Sequence, residues 1–278
     1  MKTSRIIILP IILLALSLAG CGGGSSDGGS SGGGSSGGGG AGVGLLKNGV
    51  LQVGMEIGYP PFELFADDGV TPMGLDVDLG VAIAEEIGVS AEFIDTAWDG
   101  IFAGLDVDKY DVVISAVTIT AERAQSMDFS DPYIENWQSI VVKVGNDPVT
   151  SVEGLEGLRV GYQGETTSDE YLGDMIDSGV VSCITNSYDK VINCFEDLKL
   201  GRLDAVISDS VVSEGYVLRE PEIFEITWHQ SNVSGDEPER FGVVIKKGND
   251  KLRGAVNEAL KTLENNGRLD EIRNNWMQ

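Results

Sequence analysis

The chain has 278 residues, with 19 Lys+Arg against 44 Asp+Glu and a formal net charge of −25. So acidic a chain repels phosphate backbones and anionic lipid surfaces, which excludes nucleic acid as a partner. One histidine, His229, and three cysteines, Cys21, Cys183 and Cys194, leave no His/Cys metal spacing and no nucleophile beside a histidine, so neither a metal nor another cofactor is expected.

Lys2 and Arg5 precede an apolar run from Ile6 to Leu18 that Pro10 interrupts. The run is too short for a spanning helix, and residues 1–20 read as a secretory signal. Leu18-Ala19-Gly20-Cys21 resembles the lipobox of bacterial lipoproteins, which implies cleavage before Cys21, acylation of that cysteine and an extracytoplasmic, lipid-anchored protein. Loss of the signal leaves 17 bases against 44 acids, a charge of −27. Beyond Cys21, the segment 21–44 is almost all Gly and Ser and reads as a flexible linker, with a mean reach on the order of 25 Å. The remainder, 45–278, is long for one core and suits two lobes.

GVLQVGME alternates as a strand, and YPPFELFADDGVTPMG carries turn chemistry. LDVDLGVAIAEEIGV places Leu75, Leu79, Ile83 and Ile87 at helical spacing. AEFIDTA reads as a strand, WDGIFAGLDVDKY as a helix ending in a turn, and DVVISAV as a buried strand. The second half repeats the alternation: strand LRVGYQ, helix TTSDEYLGDMI, strand VVSCITN, helix SYDKVINCFEDLKLG, strand LDAVIS. A strand and two helices follow from Phe241. Cys183 and Cys194, 11 apart in an exported chain, read either as a disulfide or as two buried thiols on a strand and a helix.

Strands alternating with helices predict an α/β fold with mostly parallel sheets. One passage is written twice: LDVDKYDVVIS at 105–115 and LKLGRLDAVIS at 198–208. Two copies are too few for a solenoid and suit two similar lobes. Ligands of open α/β sheets bind outside the carboxyl ends of strands, so the strand ends after Ile114 and Ile207 are expected to face one cleft. Candidate crossings between lobes lie near 135–138 and 231–236.

MGLDVDLGVAIAEEIG resembles the signature of the bacterial extracellular solute-binding proteins of family 3, which serve polar amino acids. YPPFE, DVVISAVTITAER, FSDPY, VGYQGETTSDEY and GRLDAVISD resemble that family's other segments in the same order, over essentially all of 45–278. The resemblance implies a type II periplasmic binding protein, with lobe I at 45–135 and 236–278, lobe II at 136–235 and a two-crossing hinge. It implies a monomer that carries a free L-amino acid to an ABC permease.

Arg123 presents a planar fork of donors suited to a carboxylate. By spacing alone it is more simply a surface base paired with Glu122 or Asp128; the resemblance implies that it binds the ligand α-carboxylate. Ser115 and Thr118 add donors at the strand end. Asp209 matches the position that binds the α-amino group, or caps the helix that follows. Tyr59 and Trp98 are the aromatic candidates for the ligand side chain, with core packing the other reading for Trp98; Phe62 reads as core. Thr167 matches a ligand-carboxylate contact or a helix cap. The family usually has glycine where this chain has Glu165, which puts that loop's path in question. Glu56 occupies the place where relatives that take basic amino acids carry an acid, and Gln163 adds a hydrogen bond, so the ligand leans cationic or polar: Arg, Lys, ornithine, His or Gln. Asp76 and Asp78, at a helix start, read as structural, and Asp111 and Asp204 as turn-fixing. The expected role is binding and not catalysis. The other class is an enzyme on the same fold, of the cyclohexadienyl (prephenate or arogenate) dehydratase type, which would need a positioned acid or base in the cleft.

Overall fold

The computed structural model describes residues 42–147 and 149–277. The predicted signal, Cys21 and most of the predicted linker lie outside the described residues. Val43, placed in the linker by sequence, packs against the hydrophobic core, so the folded body begins at or before it.

In chain order, β1 (Val50–Met55) is followed by a hairpin of β2 (Leu64–Phe65) and β3 (Pro72–Met73), then α1 (Leu75–Ile87) and β4 (Ser90–Asp95). Then come α2 (Ile101–Asp106), β5 (Val112–Val113), α3 (Arg123–Ser126) and β6 (Met127–Phe129). β7 (Ile134–Asn136) leads into β8 (Gln138–Lys143), β9 (Arg159–Gln163), α4 (Thr167–Asp177), β10 (Ile184–Tyr188) and α5 (Val191–Lys199). β11 (Ala205–Asp209), α6 (Ser210–Arg219) and β12 (Phe224–His229) complete the second half. β13 (Glu239–Phe241), β14 (Val244–Lys246), α7 (Asp250–Asn265) and α8 (Arg268–Trp276) close the chain.

Two five-stranded sheets result, in the orders β4-β1-β5-β14-β6 and β10-β9-β11-β8-β12. Each has three parallel strands: β1 between β4 and β5 in the first, β9 between β10 and β11 in the second. Each then adds two strands through antiparallel pairings. Between the sheets, β7 pairs antiparallel with β13, Glu239 opposite Asn136. That pairing ties the two passages of the chain to each other, its register set between residues about a hundred apart in sequence.

The duplicated passage has a packing reason. Asp111 accepts from the amides of Leu46 (2.7 Å) and Gln52 (2.8 Å), clamping the start of β1. Asp204 accepts from the amide of Arg159 (2.8 Å) at the start of β9 and pairs with its guanidinium at 2.7 Å. The residue before each aspartate covers a glycine in the central strand of its sheet's parallel trio. A Cβ on Gly54 would lie 2.6 Å from the Tyr110 ring, and one on Gly161 would lie 2.3 Å from Leu203 Cδ1. Leu203 can rotate, whereas the ring of Tyr110 is fixed by its hydroxyl donating to the Ile101 carbonyl. Gly54→Ala is therefore expected to destabilise by ~1–3 kcal/mol, the usual cost of overpacking. That is a fall of several degrees in melting temperature by calorimetry, and more than Gly161→Ala causes.

α1 buries Leu75, Leu79, Ile83 and Ile87, as its spacing required, packs on α7 and α8, and stops at Gly88 in the left-handed region. Three readings shift. β10 begins at Ile184, not Val180, because it is an edge strand whose register starts at Arg159 of β9; α5 accordingly starts at Val191. The ladder of β5 covers only Val112 and Val113, because the chain turns away at Ala116, φ +47°. The thiols of Cys183 and Cys194 are unpaired. Cys194 on α5 packs with Phe195 and Val206, while Cys183 packs with Val160 and Ile207 in a separate cluster. Burial pushes the Cys194 thiol up, to a value where it stays protonated.

Candidate functional site

The facing edges of the two lobes enclose a cavity, and all nine candidate ligand-binding residues of the sequence line it. The lobes are closed on one another. Trp98 Nε1 and Arg123 Nη2 both donate to the carbonyl of Glu165, at 3.0 and 3.3 Å. Gln163 Nε2 donates to Glu56 Oε2 at 2.6 Å, and the Tyr59 hydroxyl donates to Asp209 Oδ2 at 2.5 Å.

Arg123 is 9% exposed and pairs with no carboxylate among the described residues; the two partners read from spacing are engaged elsewhere or not with it. Its remaining protein bond runs from Nη1 to the Thr118 carbonyl, 3.1 Å. Its guanidinium lies 5.6 Å from the rings of both Trp98 and Phe102. Trp98 packs in a core cluster and also lines the cavity. Burial pulls the Arg123 pKa down, opposed by the charges of Glu170, Asp209 and Glu239. A fork of donors held dry against aromatic rings, with no anion of its own, is chemically suited to a carboxylate.

Asp209 ends β11 and makes no side-chain cap to α6, which removes its capping reading. Its carboxylate also takes Asn136 Nδ2 (2.7 Å) and Gln138 Nε2 (3.1 Å). The same two amides donate to Glu239, at 3.0 Å and at 3.1–3.2 Å. Burial first, and then the negative charge of Glu239, push Asp209 up to about 7.

Ser115 is less free than its position suggested. Its hydroxyl accepts from the Glu56 amide (3.0 Å) and donates to Glu63 Oε1 (2.7 Å). Thr118 Oγ1 and Thr167 Oγ1 lie 3.4 Å apart at the junction of the lobes, and Thr167 also receives Gln138 Nε2 at 3.3 Å. Thr166, not Thr167, caps α4, through the Asp169 amide. Glu165 has φ +60°, the left-handed backbone that glycine adopts freely and other residues adopt at the cost of strain. What it contributes to the cleft contacts named above is its carbonyl.

Glu56 is 3% exposed; Oε2 holds Gln163, and Oε1 has no hydrogen-bond partner. Burial raises its pKa, offset by Gln163 and by the charge of Lys190. Gln163 Oε1 is likewise without a partner. Two acceptors thus stand ready for a donor.

Sequence reasoning missed Glu63, which lines the cavity, and the hinge residues Asn136, Gln138 and Glu239. Glu63 was visible in YPPFE as an acid after an apolar turn; nothing local marks the other three. Asp76, at the start of α1, is fully buried and accepts from the Ala116 amide (2.6 Å) and the Tyr133 hydroxyl (3.0 Å), holding the turn of the strand end. Burial pushes Asp76 up to about 7, and burial, then the Asp76 charge, hold Glu63 well above the ordinary carboxylate value. Asp78 accepts from Trp276 Nε1 at 2.7 Å and ties α1 to α8. His229 hydrogen-bonds Ser231 and lies outside the cavity.

Residues 51–278 match the family described as bacterial extracellular solute-binding proteins, family 3. The chain belongs to this family. The L-cystine-binding protein TcyJ of Escherichia coli strain K12 is 33% identical over 231 residues, 83% of each chain. An ancestral arginine-binding protein bound to arginine superposes with a TM-score of 0.76 at 38% identity, covering 83% of this chain and 99% of that one. An ancestral amino acid-binding protein, AncCDT-1, a precursor of cyclohexadienyl dehydratase, gives a TM-score of 0.74 at 32% identity, over 83% of this chain and 96% of that one. This family member therefore has the type II periplasmic binding protein fold, and its relatives are amino acid-binding proteins. Among the described residues, no helix is long and apolar enough to cross a membrane.

Proposed function

We propose that the protein captures a free L-amino acid with a cationic or polar side chain between its two lobes and presents it to an ABC permease. The observation that carries this reading is the buried guanidinium of Arg123, without a carboxylate partner, in the same cavity as the Asp209 carboxylate. An α-carboxylate completes the first and an α-ammonium the second. Contacts with both lobes favour the closed arrangement, so ligand binding shifts the population toward it. Glu56 Oε1 and Gln163 Oε1 supply acceptors for a donor at the end of the side chain, which favours Arg, Lys, ornithine, His or Gln over Asp and Glu. Lobe I comprises 45–135 with 236–278, lobe II 136–235, and acylated Cys21 tethers the monomer at the membrane.

His229 lies outside the cavity and gives the dehydratase reading no positioned acid or base there. A thermal-shift screen of the twenty amino acids with ornithine and citrulline tests the proposal. A ligand at about 100 times its Kd stabilises by ~2.7 kcal/mol, a rise of several degrees, expected for cationic or polar amino acids and absent for Asp and Glu. No shift with any amino acid, or turnover of prephenate or arogenate, overturns it.

A further inference from the structure

Asp209 shares its hydrogen-bond donors with a second acid that is absent from the cavity wall. Glu239, on the return strand β13, is half-buried and lines a neighbouring open cleft with Thr118, Thr167 and Glu170. Two side-chain amides fill the layer between the two carboxylates. Asn136 Nδ2 donates to Asp209 Oδ1 at 2.7 Å and to Glu239 Oε2 at 3.0 Å. Gln138 Nε2 lies 3.1 Å from Asp209 Oδ1 and 3.1–3.2 Å from both Glu239 oxygens. The other ends of the amides are held as well. Ser168 Oγ donates to Gln138 Oε1 at 2.7 Å, and Ser210 Oγ donates to Asn136 Oδ1 at 3.4 Å. Thr167 Oγ1, from the cavity wall, donates to Glu239 Oε2 at 3.3 Å.

A side-chain amide has a donating end and an accepting end, whereas an ionised carboxylate only accepts. Glu239 therefore tolerates only the donating ends of Asn136 and Gln138, and those are the ends that Asp209 needs. We propose that Glu239 is a positioning residue for the ligand ammonium: it holds both amides turned toward Asp209 and adds its own charge to the field at that carboxylate. The inference rests on the proposed function, in which Asp209 receives the α-ammonium. Burial first, and then the Glu239 charge, raise Asp209 to about 7. The charged or titratable groups around the pair are Tyr59, Arg123 and Glu170, all of which feel Glu239. A proton on Asp209 and an ammonium beside it sit in the same field, so the Glu239 charge strengthens both. Its removal weakens the ammonium and the competing proton together. The two effects cancel at low pH, where the ligand must displace the proton, and the loss shows in full at high pH, where Asp209 is already ionised.

Isothermal titration calorimetry at pH 5.5, 6.5, 7.5 and 8.5 with L-arginine, L-lysine, L-ornithine, L-histidine and L-glutamine tests this. It compares the wild-type protein with Glu239→Gln and Glu239→Ser, which remove the charge with and without the bulk, and with Glu239→Asp, which keeps it. For each amino acid that the wild type binds, both neutral variants are expected to weaken binding on the order of tenfold at pH 8.5 and by less than about twofold at pH 5.5. Glu239→Asp is expected to keep the shape of the wild-type profile. A purely structural defect would lower affinity by the same factor throughout. A loss that is equal at every pH, no loss at pH 8.5, or the neutral-variant profile in Glu239→Asp overturns the role of Glu239 alone, while the wild type still binds. Failure of the wild type to bind any of the five overturns the head-binding role of Arg123 and Asp209, and that of Glu239 with it.

Discussion

Arg123→Ala is expected to abolish amino acid binding while leaving the fold intact. The guanidinium offers two or three charge-assisted hydrogen bonds to a carboxylate, each worth ~1.5–3 kcal/mol in a dry site. Their loss lowers affinity on the order of 10²–10⁴-fold, enough to erase the ligand-induced rise in melting temperature. The unliganded protein loses little. Arg123 bonds only to the carbonyls of Thr118 and Glu165 and stacks on Trp98 and Phe102, and it is a desolvated cation with no anion beside it. Its melting temperature without ligand is therefore expected to stay within a few degrees of wild type. Arg123→Lys restores charge without the planar fork and recovers only part of the affinity. Ligand-induced stabilisation that persists in Arg123→Ala removes the carboxylate-receptor role.

Affinity is expected to rise with pH between about 5 and 8, in the direction opposite to stability. Asp209 sits up at about 7 because it is buried and faces Glu239, while Tyr59, Asn136 and Gln138 hydrogen-bond it and favour its charged form. Below that value it is protonated, and an ammonium loses its counter-charge. Affinity then falls toward tenfold per pH unit, which calorimetric titrations at pH 5.5, 6.5 and 7.5 resolve. The stability of the unliganded chain runs the other way. Glu63, Asp76 and Asp209 all have folded-state pKa values above the ordinary carboxylate value, so their protonated forms are favoured by folding. For Asp76 and Asp209 that contribution is complete below about pH 4 and is lost as pH rises through about 7, and Glu63 acts in the same direction. Melting temperature without ligand should fall from pH 5 to pH 8 while the shift produced by ligand grows. Asp209→Asn should bind weakly at every pH and flatten the affinity profile. An affinity that does not change across this range excludes Asp209 as the ammonium's partner.

The site was legible in the chain to the extent that its residues sit at strand ends and helix starts. Arg123, Asp209, Thr167 and Gln163 belong to such points, and the βα alternation placed them on one edge of each sheet. Glu63 and the hinge trio of Asn136, Gln138 and Glu239 were not legible as parts of the site. Their importance lies in what they touch, Ser115 in one case and Asp209 in the other, across 52 and 71–73 residues for the contacts made by Glu63, Asn136 and Gln138. Glu165 was legible as a departure, but its consequence was not. That its carbonyl receives both Trp98 and Arg123 follows from lobe closure and not from the side chain that made it conspicuous.

By itself the chain determined the order of strands and helices, the twofold repetition of the Asp-capped strand, and which side chains end those strands, because periodicity and backbone preference act over a few residues. Tertiary structure decided which of those side chains lost their partners. Arg123 and Glu56 resemble any other charged residues in sequence. They stand apart only because closure of the lobes takes both out of water and leaves Arg123 with no carboxylate paired to it among the described residues, and the energy of a charge depends on its surroundings more than on its place in the chain.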